Sequence, residues 1–159
     1  TRFLSDLASG AGKSTLLKIL SGEKNTPTAH STNSSIYVSK TLEAPLSFLI
    51  EQHVQETVFG SLTVGQTFEY AFVLKNGTSG KVNSQREGHI KSVMGHLLLS
   101  INLLGRRCDQ CSGGELKRVV VGQELMSLVP PSFCFFDEPT TGKFISVWLT
   151  CKIFVFFVQ

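Results

Sequence analysis

The sequence has few charged residues of either sign and no long run of one sign. Asp, Glu, Lys and Arg make up 17% of its 159 residues, and the net charge is +3. A nucleic-acid-binding surface is usually marked by Lys and Arg clustered on one face or along one helix. The charge pattern therefore predicts no nucleic-acid partner.

The sequence has only four cysteines, and it does not open with the apolar segment and small-residue cleavage site of a secretory signal. We therefore expect a reducing, cytosolic setting. Cys108 and Cys111 have the spacing of half a zinc site, but structural zinc takes four ligands and no second pair of Cys or His has a matching spacing. The sequence thus predicts no structural zinc site.

Apolar residues are plentiful enough for one folded domain. They make up 42% of the sequence, and a chain of this length can enclose a core of its own. Their spacing predicts helices at 14–20, at about 64–75, around an apolar face of Ile90, Val93, Met94, Leu97 and Leu98, and at 115–128. Residues 75–85 predict an exposed loop, and the apolar residues 133–136 predict a strand buried in a parallel sheet.

Residues 9–15 read Ser-Gly-Ala-Gly-Lys-Ser-Thr and precede the first predicted helix, which is the pattern of a phosphate-binding loop. Small residues let backbone N–H groups wrap a phosphate, and the following helix directs its positive end toward it. Lys13 is expected to reach the β- and γ-phosphates, and the Ser14 hydroxyl to bind Mg²⁺. The predicted nucleotide-binding residues of this loop are Ser9, Gly10, Ala11, Gly12, Lys13, Ser14 and Thr15.

One position departs from the full phosphate-loop pattern. Leu7 stands where the pattern has its first glycine. A leucine held there at positive φ would cost about 1–3 kcal/mol, which would weaken nucleotide binding. The alternative is that the first eight residues are not the natural lead-in to the loop.

Two carboxylates, Asp137 and Glu138, follow the predicted strand 133–136. Ligands of open α/β sheets bind beyond the carboxyl ends of the strands. We therefore expect Asp137 to hold Mg²⁺ through water and Glu138 to polarise the attacking water as a general base. Alone, these residues would indicate an acidic turn, but the phosphate loop favours the catalytic interpretation.

Ser112, Gly113, Gly114 and Glu115 satisfy the capping-box pattern, in which a helix begins after Ser and Glu reaches back to it. A helix that begins with Ser and two glycines also offers free N–H donors, a hydroxyl and an uncrowded approach. We therefore predict a second phosphate-binding site at Ser112, Gly113 and Gly114.

Together these motifs resemble the nucleotide-binding domain of ATP-binding-cassette transporters of the G subfamily. Residues 9–15 are similar to Walker A, residues 111–115 to the signature motif, and residues 133–140 to Walker B. Leu-Thr-Val-Gly-Gln-Thr-Phe-Glu-Tyr-Ala, from residue 62, is similar to the segment after the Q-loop of that subfamily. The resemblance implies an α/β fold for residues 1–142: a P-loop NTPase core with a mainly parallel sheet and a helical insert at about 63–114 that carries the signature motif.

The resemblance also implies cofactors and partners. In the family, two such domains pair head to tail, and each ATP with its Mg²⁺ lies between Walker A of one domain and the signature motif of the other. Transmembrane domains attach to the pair, which implies a position on the cytoplasmic side of a membrane. A Q-loop glutamine contacts Mg²⁺ and senses the membrane domain; we prefer Gln52 for this role, with Gln55 as the alternative.

Both ends depart from the family pattern. No D-loop follows Gly142. The sequence has no histidine after His96, so the switch histidine is missing as well. Upstream of the phosphate loop, we expect the family's first strand and its adenine-stacking aromatic residue to be missing. The apolar tail 143–159 is shorter than the about 20 residues of a membrane helix. We interpret it as sequence foreign to the family, from intron read-through or a truncated gene; a short strand or an interfacial anchor is the alternative.

We therefore predict ATP binding and ATP hydrolysis that power transport of an unidentified substrate across a membrane, as part of a G-type transporter. Because the D-loop and switch histidine are missing, the chain alone is expected to bind ATP weakly and to hydrolyse little or none. The alternatives are a soluble cassette ATPase of another class and a remnant that no longer hydrolyses ATP.

Overall fold

The computed structural model describes residues 2–4, 12–21, 47–50, 57–137 and 154–158, which fall into two compact units. The first unit contains a parallel sheet and one helix, and the second contains residues 57–130. In chain order the elements are β1 (Arg2–Leu4), α1 (Lys13–Ser21), β2 (Ser47–Ile50), α2 (Val64–Asn76), α3 (Gly80–His96), 3₁₀ helices at Ile101–Gly105 and Cys108–Gln110, α4 (Gly113–Glu124), β3 (Phe133–Asp137) and β4 (Phe154–Val158).

The sheet of the first unit joins four described strands in the order β1, β4, β3, β2, and every pairing is parallel. β3 occupies an interior place, since Phe135 pairs with Leu49 on one side and with Phe156 on the other. Cys134, Phe135 and Phe136 are buried. A continuous apolar run is what a strand inside a parallel sheet requires, and the strand predicted at 133–136 is confirmed.

Helix α1 packs on this sheet through a leucine. Leu17 is fully buried against Phe135, and Leu20, Leu49 and Phe133 surround the pair. The last turn is held by the Ser47 hydroxyl, which donates to the Ser21 carbonyl at 2.8 Å and so satisfies a group that has no partner within the helix. The helix predicted at 14–20 is confirmed, with one more residue at each end.

The two ends of the chain contribute strands. Arg2–Leu4 form the short strand β1 ahead of the phosphate loop, in the region where we expected the family's first strand to be missing. Three residues are too short to show an alternating pattern, and among the described strands they pair with β4. In the tail, Phe154–Val158 form β4 between β1 and β3, which agrees with the alternative interpretation of the tail as a strand.

The second unit is built from α2, α3 and α4 around an apolar core. Fully buried side chains from all three helices meet there, among them Phe68, Phe72, Met94, Val119 and Val121. α2 begins with the predicted capping box: the Gln66 N–H donates to the Thr63 hydroxyl at 3.2 Å, and the Thr63 N–H donates to Gln66 Oε1 at 3.0 Å. The helix predicted at about 64–75 is confirmed.

The exposed loop predicted at 75–85 is wrong for most of its length. Gly77, at a φ of +79°, ends α2, and α3 already begins at Gly80. The Asn83 N–H closes the first turn of α3 on the Ser79 carbonyl at 2.9 Å. The polar residues that suggested a loop instead form the exposed side of a helix, where water solvates them at no packing cost.

Two further helix ends differ from the predictions. Leu98 does not join the apolar face of α3, because the helix ends at His96 and Leu98, at a φ of +53°, is 67% exposed. α4 ends at Glu124 rather than at 128. The Asn76 side-chain amide forms hydrogen bonds with the backbone that follows α4. Its Nδ2 donates to the Met126 carbonyl at 2.8 Å, and its Oδ1 accepts from the Leu128 N–H at 2.7 Å.

Across the described segments, no helix combines the length and the apolar character needed to cross a membrane.

Candidate functional site

The start of α1, residues 12–15, is the described part of the predicted phosphate loop. Gly12 has a φ of +82°, in the left-handed region that favours glycine, and its carbonyl accepts the Leu16 N–H at 2.9 Å. The N–H groups of Lys13, Ser14 and Thr15 have no acceptor four residues earlier within the helix. The side chains of Ser14 and Thr15 are exposed. This helix start therefore offers backbone donors and two hydroxyls to a ligand.

The structure places the predicted magnesium ligand Asp137 by its backbone. It is the last residue of β3 and pairs with Val158, so it lies at the carboxyl end of an interior parallel strand. Lys13 is the first residue of α1 in the same unit. These are backbone positions, and the phosphate and magnesium roles of the two residues stay predictions.

Several predicted site residues lie outside the described residues. They are Ser9, Gly10, Ala11, Gln52, its alternative Gln55, and Glu138, together with the unusual Leu7. Their roles stay predictions.

The start of α4 forms the predicted capping box completely. The Ser112 hydroxyl accepts the Glu115 N–H at 3.3 Å, and Glu115 Oε2 accepts the Ser112 N–H at 2.8 Å. The same Oε2 also accepts the Ser112 hydroxyl at 2.8 Å. Ser112 itself has extended backbone angles, φ −62° and ψ 156°, as a helix-capping residue does. The helix begins at Gly113, so Gly113 and Gly114 hold the free N–H groups of its first turn.

Glu115 is held in its ionised form at this helix start. The hydrogen bonds from the Ser112 N–H and hydroxyl lower the pKa of its carboxyl, and the guanidinium groups of Arg106 and Arg118 lower it further. Arg106 Nη1 lies 3.4 Å from both carboxylate oxygens. A negative charge near the N-terminus of a helix also interacts favourably with the helix dipole. The carboxylate thus stabilises the cap at neutral pH.

Packing among the described residues does not require glycine at positions 113 and 114. Neither has a positive φ, which occurs there only at Gly12, Gly77 and Leu98. A Cβ on Gly113 would meet no described atom within 4 Å, and one on Gly114 would make an ordinary 3.7 Å contact with Arg118 Nη1. Glycine lowers helix stability by up to about 1 kcal/mol relative to alanine. Two exposed glycines here therefore keep an approach open at some cost in stability.

Sequence reasoning missed Arg106 and Arg118 at this site. Arg106 lies nine residues before Glu115, a separation that no helix or strand period reveals. Arg118 stands one turn after Gly114, and its Nε is buried without a hydrogen-bond partner among the described residues. The spacing from Gly114 to Arg118 is the signal that could have indicated it, because residues four apart share a helix face.

The segment that leads into α4 is fastened to the segment before α2. The Cys108 N–H donates to the Leu62 carbonyl at 2.9 Å, and the Asp109 N–H donates to the Gly60 carbonyl at 3.1 Å. The Val64 N–H donates to the Arg106 carbonyl at 2.9 Å. These bonds fix the backbone immediately ahead of Ser112 and so help to position the start of α4.

Two cavities adjoin these elements. One, of about 310 Å³, lies beside the start of α4 and is lined by Val58, Gly60, Cys108, Asp109, Cys111, Gly113 and Leu116. The other, of about 540 Å³, is mainly apolar and is lined by residues of α2 and their neighbours, among them Phe59, Leu62, Tyr70, Leu74 and Arg86. Phe59 is 78% exposed and Leu74 is 85% exposed. The second cavity therefore belongs to an exposed apolar surface.

The sequence matches the family model described as ABC transporter over residues 8–141. ABC transporter G family member 8 from Arabidopsis thaliana is 36% identical over 135 residues, which cover 84% of this chain and 21% of that protein. Thiamine import ATP-binding protein ThiQ from Haemophilus ducreyi is 32% identical over 133 residues, which cover 82% of this chain and 58% of that protein. The chain thus spans about a fifth of the length of the G family relative. These matches confirm the resemblance drawn from the motifs.

A solved structure shares the fold. The structure of cbiO1 from Clostridium perfringens, described as part of the ABC transporter complex cbiONQ, matches with a TM-score of 0.74. The match covers 99% of this chain and 66% of that chain, at 17% sequence identity. At this identity the likeness concerns the fold, and the predicted α/β fold with a parallel sheet is confirmed.

Proposed function

We propose that this chain, which belongs to the ABC transporter family, binds ATP with Mg²⁺. Hydrolysis of this ATP would power transport across a membrane. The ATP supplies the phosphoanhydride bond whose cleavage drives the cycle. Gly12 and the backbone N–H groups of the α1 start suit a phosphate, and the exposed Ser14 hydroxyl suits a metal ion that a phosphate also binds. Asp137 would hold the same ion from the end of β3.

The remaining roles at this first site rest on the sequence pattern. Lys13 would neutralise charge on the β- and γ-phosphates, and Glu138 would orient and deprotonate the attacking water. Gln52 would contact Mg²⁺ and report on the membrane domain. Each of these roles is a proposal about a side chain whose type and place in the motif fit the chemistry.

The start of α4 is proposed to complete a second phosphate site that belongs to a partner domain. The observation that carries this proposal is the pair of exposed glycines, Gly113 and Gly114, which no described packing contact and no positive φ requires. A γ-phosphate held by a second copy or a related domain would need the close approach that they leave open. The two free N–H groups would supply the donors, and Ser112 would add a third when its hydroxyl turns from Glu115 to the phosphate.

A transmembrane domain is the second proposed partner. The exposed apolar surface with Phe59, Tyr70 and Leu74 suits a helix from such a domain, because an amphipathic helix buries its apolar face in a groove of this kind. The transported substrate would be selected by the membrane domains. We propose a G-type transporter, since a G family protein is among the relatives.

A titration with a fluorescent ATP analogue tests nucleotide binding. We expect saturable, Mg²⁺-dependent binding by the 159-residue chain and a loss of at least about tenfold in affinity for Lys13→Ala, since one charged contact to a phosphate contributes about 1.4 kcal/mol or more. Lys81→Ala, an exposed lysine on α3, is the matched control and should bind as wild type. Equal and negligible signals from wild type and Lys13→Ala would instead favour a remnant that binds no nucleotide.

A further inference from the structure

Two cysteines stand directly ahead of the start of α4, and the proposed nucleotide chemistry uses neither. Cys108 begins the 3₁₀ helix Cys108–Gln110. Cys111 caps the end of this helix and directly precedes Ser112 in the sequence. Both are free thiols in this structure. Cys108 is buried, with 1% of its surface exposed, whereas Cys111 is half-buried. The pair therefore combines one accessible thiol with one protected thiol.

A backbone turn brings the two cysteines close together. The Cys111 N–H donates to the Cys108 carbonyl at 3.2 Å. A turn closed by such a bond brings its first and fourth Cα atoms within about 7 Å. Disulfides usually join Cα atoms about 4.4–6.8 Å apart. Both residues also line the same cavity of about 310 Å³.

We propose that Cys108 and Cys111 form a reversible dithiol–disulfide site directly ahead of the start of α4. Formation of the disulfide would break one weak contact of each sulfur. Cys108 Sγ lies 3.4 Å from the Thr67 hydroxyl, and Cys111 Sγ lies 3.5 Å from the Arg107 carbonyl. The site does not depend on ATP binding. Because Cys111 is bonded to Ser112, the disulfide also constrains the residue that caps α4.

The oxidant is a low-molecular-weight disulfide, such as oxidised glutathione. The Cys111 thiolate attacks one of its sulfurs and releases one glutathione thiol, which leaves a mixed disulfide on Cys111. The Cys108 thiolate then attacks the Cys111 sulfur, forms the protein disulfide and releases the second glutathione thiol. Two protein thiols thus lose two electrons and two protons, and one oxidised glutathione becomes two reduced molecules.

The surroundings of Cys111 set the conditions for this exchange. Burial raises the pKa of the Cys111 thiol, as do Cys108, Glu115 and Asp109, while Arg106 opposes them. The reactive thiolate is therefore scarce at neutral pH, and the exchange is expected to be faster at more alkaline pH.

Peptide mapping of the native 159-residue chain tests the proposal. Trypsin cleaves after Arg107 and Lys117, and the peptide 108–117 carries both thiols of the pair and neither Cys134 nor Cys151. After treatment with oxidised glutathione, we expect this peptide to lose two hydrogens, to resist alkylation, and to regain two alkylatable thiols with dithiothreitol. Recovery of the peptide with two alkylated thiols, or linked to Cys134 or Cys151, would overturn the proposal.

Two variants sharpen this test. In Cys111→Ser, the buried Cys108 should stay free of glutathione, because its attack depends on a mixed disulfide at Cys111; rapid glutathione addition to Cys108 would contradict the proposed order. Cys151→Ser removes a cysteine outside the pair and should leave the peptide 108–117 oxidised as in wild type. Loss of the disulfide in this variant would show that the pairing involves Cys151 and would overturn the proposal.

Discussion

The carboxylate of Glu115 accepts two hydrogen bonds from Ser112, one from its backbone N–H and one from its hydroxyl, each 2.8 Å long. The hydroxyl proton of Ser112 is therefore directed to Glu115. The N–H groups of Gly113 and Gly114 remain as the donors without a helical partner. The start of α4 is thus a capped helix end that still offers free N–H donors. Glu115 accepts the hydrogen bonds of Ser112 and leaves the N–H groups of the two glycines unused.

Replacing Glu115 with Gln should reduce the loss of stability in acid. Because the folded state lowers the pKa of Glu115, its contribution is complete above the ordinary glutamate pKa of about 4.3 and disappears as pH falls through the lower folded value. Gln keeps a hydrogen-bond acceptor but removes the charge. We therefore expect thermal midpoints of wild type and Glu115→Gln to differ at pH 7 and to converge toward pH 3. Glu69→Gln, an exposed carboxylate within α2, controls for loss of one charge, and equal convergence in both variants would contradict this account.

Gly122→Ala should destabilise the second unit. A Cβ at Gly122 would lie 2.7 Å from one atom of the Phe68 ring and 3.0 Å from Leu97 Cδ1, closer than packed atoms allow. Overpacking of this kind costs about 1–3 kcal/mol. Gly88→Ala is the matched control: it lies inside α3 with no described atom within 4 Å of the added Cβ, and it should stabilise by up to about 1 kcal/mol. Urea unfolding of both variants measures the difference, and equal midpoints would show that α2 and α4 are not closely packed.

Asn76→Ala should also destabilise this unit, through backbone groups that lose their partner. The Asn76 amide bonds to the Phe72 carbonyl at 2.7 Å and also to Met126 and Leu128 after α4. Leaving partly buried polar groups unpaired costs about 1–3 kcal/mol. Asn83→Ala removes an exposed amide that, among the described residues, bonds to the Thr78 carbonyl at 3.1 Å. It should change the free energy of unfolding by less than about 0.5 kcal/mol. Similar losses in both variants would argue against the Asn76 contacts.

Local sequence patterns predicted the elements whose cause is local. The capping boxes at Thr63 and Ser112 need only residues three apart, and both form as predicted. The apolar run 133–136 identified the interior strand because burial on both faces leaves no room for polar residues.

Elements fixed by distant partners could not be predicted in this way. α4 ends at Glu124 because Asn76, about fifty residues earlier, binds the backbone after it. The three residues of β1 become a strand through pairing with β4 at the other end of the chain. Arg106 reaches Glu115 because hydrogen bonds to the segment before α2 hold its loop. Each of these depends on tertiary contacts that no local pattern encodes.

The central claim is that the α4 start binds the phosphate of a partner's ATP, and the solution mass of Gly113→Asp tests it most directly. Asp at the first position of a helix interacts favourably with the dipole, by about 0.3–1 kcal/mol, and no described atom crowds Gly113. The variant should therefore fold as stably as wild type, yet its charge should repel a phosphate. Sedimentation with millimolar MgATP should show wild type shifting toward the dimer and Gly113→Asp remaining a monomer that still binds nucleotide. An equal shift in both proteins, or no nucleotide-dependent shift in wild type, would contradict the claim.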